Sequence, residues 1–154
     1  MITCQDILEL QLDVVELIAG EKGLTRPVTW TYMVQIRPFE EHMNQGNFAL
    51  CVVDYVRFDL EEAGKAMEEL YGLGISGFGI SITDDKEPVP KEMIDKANAL
   101  QLSLFYIRWK GASLVDIAQS VGKIILEYEM QNRWMGDYFD LSFEETVRRH
   151  NTRN

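Results

Sequence analysis

Histidine, cysteine, proline and positive charge are all scarce in this chain. Its 154 residues include two histidines, two cysteines and four prolines. His42 lies in a polar stretch and His150 in a basic segment, residues 148–153, so no pair of imidazoles is spaced for a metal or for acid–base work. Cys4 and Cys51 are too few for a disulfide framework, and both sit beside apolar residues. They are expected to be buried thiols in a reducing cytoplasm. Fifteen Lys and Arg stand against 25 Asp and Glu, a net charge of −10. Such a field repels phosphate backbones and anionic lipid. No apolar run approaches the roughly 18 residues of a membrane span, and the opening residues lack the basic and apolar stretches of a signal peptide. HExxH, CxxC, Walker A and GxSxG motifs are missing. No catalytic residue, metal or cofactor is therefore expected. Asp84-Asp85 reads as a solvated loop end rather than a cation site.

What is present is an ordinary globular composition, 46% hydrophobic and 26% charged. Thr3 can cap a short helix, with Asp6 at capping-box spacing. Residues 14–19 are β-branched and apolar and end at Gly20, which reads as a strand. Residues 28–36 read as a second strand. Pro38 opens a short helix over 38–44. Residues 48–53 are apolar throughout, as in a sheet covered on both faces. Leu60, Ala63, Met67, Leu70 and Leu73 recur at helical spacing, and Gly74 stops that helix. Residues 75–82 form the next strand, and Gly77 and Gly79 within it suggest close packing against a helix or a ligand. A helix over 90–100 and a last strand over 102–107 follow. The alternation predicts an α/β fold: a single domain with a mostly parallel or mixed sheet of about four to five strands, flanked by helices.

From Ala112 the pattern changes. Leu114, Ala118, Val121, Ile125, Tyr128, Asn132 and Met135 alternate spacings of four and three, a heptad-like seam. It predicts a long C-terminal helix that supplies a two-fold dimer interface, with Asn132 fixing register. The expected organisation is an α/β sensory domain over 1–111, a connector and dimerisation helix over 112–136 ended by Gly136-Asp137, and a linker start over 137–154.

The opening run is specific. Ile2-Thr3, Asp6-Ile7-Leu8, an apolar stretch over 14–18, then Ala19-Gly20-Glu21-Lys22-Gly23-Leu24-Thr25-Arg26-Pro27-Val28-Thr29-Trp30 resembles the start of the purine-catabolism-regulator (PucR-type) family of bacterial transcription factors. The likeness continues through Gly46-Asn47-Phe48-Ala49-Leu50, Gly74-Ile75, Gly77-Phe78-Gly79 and residues 102–107. The first thirty residues are also similar, more weakly, to amino-terminal domains of HPr kinase/phosphorylase. The resemblance implies a larger regulator whose amino-terminal domain senses or assembles. A middle domain and a DNA-binding helix-turn-helix would follow. DNA would then be met only through that downstream part. This chain departs from the family at Tyr32, where His is usual, at Gln35, where Glu is usual, and at Cys51-Val52-Val53, where Thr-Thr-Gly is common. If the family binds a ligand there, this member's ligand differs or is absent.

The expected function is thus a ligand-sensing or dimerising regulatory domain, a homodimer with a small effector such as a purine catabolite or another small metabolite, and with no membrane partner. The alternatives are a purely structural dimerisation module, or a small enzyme using Cys51 or Asp54. Ligands in open α/β sheets lie beyond the carboxyl ends of the strands. That places a candidate pocket at Gln35, Arg37, Val53, Asp54, Tyr55, Ser81, Thr83, Arg108 and Trp109. Arg37 and Arg108 would clamp an anion, and Tyr55 and Trp109 would stack on a planar ring.

Overall fold

The computed structural model describes residues 1–10, 12–110 and 113–151, with side chains to residue 133. Thr3 starts helix α1 (Cys4–Glu9), and its N–H donates to the Asp6 carboxylate at 2.7 Å. Strand β1 (Val15–Ala19) follows. The chain then crosses to β2 (Trp30–Met33), which is shorter than the nine residues expected. A single 3-10 turn at Phe39–Glu41 replaces the expected short helix. Strand β3 (Asn47–Val53) leads to helix α2 (Leu60–Gly72), where the Asp59 carboxylate caps the Glu62 N–H at 2.8 Å. Strand β4 (Gly77–Ile82), helix α3 (Lys91–Leu100), strand β5 (Ser103–Ile107) and helix α4 (Leu114–Asn151) complete the chain.

The sheet has five strands in the order β1-β5-β4-β3-β2. Strands β2 to β5 are mutually parallel, and β1 pairs antiparallel with β5, so the sheet is mixed. The register puts alternate residues of β3 on opposite faces. Ala49, Cys51 and Val53 join a core beneath α2 and α3, with Phe78, Ile80 and Leu104. Phe48 and Leu50 join a second core beneath α1 and α4, with Phe105 and Ile107. Both faces are thus covered, which is why β3 and β4 read as unbroken apolar runs. Each fully buried Leu, Ile or Phe contributes about 1.5–3 kcal/mol relative to exposure.

The glycines of β4 serve that second core. A Cβ on Gly77 would lie 2.8 Å from the Phe48 ring, and one on Gly79 would lie 2.9 Å from Ile107 Cδ1. Phe48 and Phe105 meet edge to face at 5.3 Å between ring centroids, from the strands on either side of β4. The close packing expected at these glycines is against side chains of the domain's own core.

Helix α4 runs without a break through Gly136-Asp137, where a stop was expected. A glycine inside a helix weakens it by about 1 kcal/mol relative to Ala but does not bar it, and no proline follows to enforce an end. The expected start at Ala112 lies outside the described residues. Among the described residues, no helix is long and apolar enough to cross a membrane.

Candidate interaction face

The carboxyl edge of the parallel strands does not gather its expected residues into a clamp. The order β2-β3-β4-β5 never reverses, and the cores place α2 and α3 on one face. No switch point, and so no crevice between diverging crossovers, arises among these strands. Arg37 and Arg108 follow strands separated by two others. Arg37 turns to α2, with Nε 2.8 Å from Glu69 and Nη1 3.6 Å from Glu62, and its guanidinium lies over the Phe39 ring. Arg108 turns to the opposite edge, where its side chain donates to the Asp13 carbonyl at 2.8 Å. Each arginine already has local acceptors.

The remaining edge residues build the strand ends. Asp54 accepts the N–H groups of Val56 and Arg57, each at 2.9 Å, and these bonds hold its carboxyl below the usual range. Tyr55 adopts φ 64° in the tight turn that follows. Partial desolvation pushes its exposed phenol up, and the carboxylates of Glu87 and Asp84 push it the same way. Thr83 donates from N–H and Oγ1 to the Val53 carbonyl, at 3.0 and 3.2 Å. Val53 is core, Gln35 is exposed, and Ser81 is buried with an unpartnered hydroxyl. Trp109 stands apart from Tyr55: it borders a shallow groove with Met33, Val52, Ser113 and Leu114, at the start of α4, and Tyr55 does not line it. Cys51 is buried, and desolvation holds its thiol up at about 12, opposite to the shift a nucleophile needs.

Helix α4 presents two apolar stripes. Ser113 starts it, its Oγ accepting the Val115 N–H at 3.1 Å. Leu114, Ile117, Val121 and Ile125, at spacings of three and four, are buried in the second core. Three residues of the expected dimer seam, Leu114, Val121 and Ile125, are therefore core. The sheet's apolar face needs a cover, and the most apolar stripe of α4 supplies it. Ala118 is half-buried beside them. Tyr128 is half-buried and accepts a hydrogen bond from the Met1 ammonium at 2.6 Å, which with Asn132 lowers its phenol. Asn132 is exposed, and the side chain of Met135 lies outside the described residues.

The second stripe runs beside the β2 edge of the sheet, and the sequence reading did not identify it as a stripe. Val115, Leu126 and Met130 are 54%, 49% and 68% exposed. They line an open groove with Trp30 and Met33 of β2, floored by Ala118 and Gly122. The groove's charged residues are Lys123 and Glu127, 4.0 Å apart. The available signal was Val115 and Leu126, each one position beyond a seam residue, with Met130 two positions beyond Tyr128.

Two covered faces of a mixed sheet and a long C-terminal helix define a small α/β domain. Residues 6–125 match the purine catabolism regulatory protein-like family, PucR, and the chain belongs to that family. No curated protein matches it. The family is regulatory, and among the described residues no three His, Cys, Asp or Glu side chains are grouped to hold a metal ion.

Proposed function

We propose that this is the cytoplasmic input domain of a transcription regulator, which associates as a homodimer and passes its state along α4 to a downstream region that meets DNA. The observation that carries this reading is the division of labour within α4. Among its described side chains, which run to Arg133, the last fully buried one is Ile125, whereas the helix continues to Asn151. At 1.5 Å per residue, about 39 Å of helix follows Ile125. A rigid rod seated on the body by its first turns is suited to transmit position rather than to perform chemistry. Light scattering of the chain at moderate concentration should return twice its 17.8 kDa mass. A mass of one chain at every concentration would remove the dimer from this reading.

A second reading, effector sensing, is favoured by the groove of Met33, Val52, Trp109 and Ser113 at the root of α4. A ligand seated there would bear directly on the helix. Thermal shift against purine catabolites, amino acids and short organic acids tests it, because a ligand selective for the native state raises stability by about 2.7 kcal/mol at one hundred times its Kd. No shift across the panel leaves association as the domain's function.

A further inference from the structure

We infer that the groove between β2 and α4 is the contact between two copies of this chain, joined about a two-fold axis. This rests on the homodimer reading and names the surface that serves it. The surface differs from the seam of Leu114, Val121 and Ile125, which is spent inside the monomer.

Three observations select a second copy as the occupant. The first is charge. The chain carries −10 overall, so most of its surface repels a copy of itself. The groove carries one cation and one anion, Lys123 and Glu127, and is otherwise uncharged. A basic partner finds no acidic attraction there, whereas a copy related by two-fold symmetry sets each Lys123 against the other copy's Glu127 and leaves no net charge. Isologous contacts require such self-complementarity.

The second observation is the open edge. Strand β2 is last in the sheet order, and no strand among the described residues pairs with its outer side. Its residues, Trp30-Thr31-Tyr32-Met33, include no lysine, proline or other charge of the kind that guards free edges. Trp30 stands at this edge, 44% exposed, beside Leu126 and Met130. An aromatic ringed by aliphatic side chains is the make-up of an interface centre.

The third is the course of the chain. Helix α4 is continuous from Leu114 to Asn151, so no part of it turns back to cover the groove. At the other terminus, Met1 is tied to Tyr128, outside the residues that line the groove. Neither end of the described chain supplies a lid.

Sedimentation velocity over about 1–300 µM protein tests the surface, with melting curves confirming that each variant folds. Leu126→Glu should raise the dimer dissociation constant at least about 100-fold, because it puts a charge at the desolvated centre. Lys123→Glu alone should weaken the dimer about tenfold, and adding Glu127→Lys should restore affinity to within about threefold of wild type. If Leu126→Glu does not fold, Met130→Lys replaces it, since Met130 is more exposed. A wild-type monomer overturns both the inference and the homodimer reading. A Leu126→Glu dimer of wild-type affinity overturns the inference alone and puts the interface elsewhere. Failure of the double charge reversal to restore affinity overturns the two-fold pairing of Lys123 with Glu127.

Discussion

The indole of Trp30 lies against Gly122: a Cβ on Gly122 would stand 3.3 Å from Trp30 Cη2. This contact ties the edge strand to the third turn of α4 and shapes the floor of the groove. Alanine at 122 adds helix propensity of about 1 kcal/mol but presses on a ring that is free to move outward, so Gly122→Ala should change stability little. Gly122→Leu should displace the indole and destabilise by about 1–3 kcal/mol. Urea denaturation followed by tryptophan emission measures both, and equal stability of the leucine variant would deny the contact.

Gly20 ends β1 at φ 71°, and a Cβ there would fall 1.8 Å from the Leu102 carbonyl oxygen. Its N–H donates to Asn98 at 2.8 Å, and its carbonyl accepts from Ser103 Oγ at 3.1 Å. No side chain fits unless β1 and β5 separate. Gly20→Ala should cost more than about 3 kcal/mol, or leave the chain insoluble, and near-native stability would refute this packing.

Arg37 is a structural residue in this account. Its partners Glu62 and Glu69 are about as exposed as it is, near 40%. Solvent screening therefore limits Arg37→Met to a loss of about 1 kcal/mol or less, and that loss should shrink in high salt. Any effector found by thermal shift should bind the variant with unchanged affinity. A large loss of ligand affinity would return Arg37 to a binding role.

The two buried thiols predict an alkaline limit. Burial raises Cys4 and Cys51 from 9.0 to about 12, and it raises the phenol of Tyr32 as well. The folded chain then holds protons that the unfolded chain releases. Stability from this source is complete below pH 9 and is lost as pH climbs from 9 towards 12. At about pH 10.5 the loss is roughly 2 kcal/mol for each thiol. Urea midpoints at the two sides of this range should fall more steeply for wild type than for Cys51→Ala, which removes the titrating thiol without overfilling its buried site. Parallel profiles would contradict the assignment.

Much of the fold was legible because its signals are local. The helical spacing from Leu60 to Leu73, the stop at Gly74 and the apolar run of β3 each mark their element by short-range chemistry, and the resemblance carried by the residues from Ala19 to Trp30 corresponds to the family match. The antiparallel placement of β1 beside β5 was not legible, because pairing partners 80 or more residues apart leave no periodic trace. The candidate pocket suffered from the same gap. Its residues do lie at strand ends, but the unreversed strand order, invisible in the sequence, leaves Arg37 and Arg108 facing different neighbours. In α4 the seam was visible as a stripe, yet periodicity alone does not say which stripe meets the sheet. Gly122 and Trp30 settle that only once they are seen in contact.

The most direct measurement of the central claim is a distance between protomers. Both native thiols are buried, so a spin label on Gln119→Cys reports from the groove alone. Packed helices lie 8–10 Å apart, and a two-fold near Gly122 and Leu126 adds a few turns at most, so dipolar spectroscopy should find one label-to-label distance below about 30 Å. The distance should vanish in the Leu126→Glu background. A dimer whose labels lie beyond about 50 Å would place the contact on another face and contradict the account.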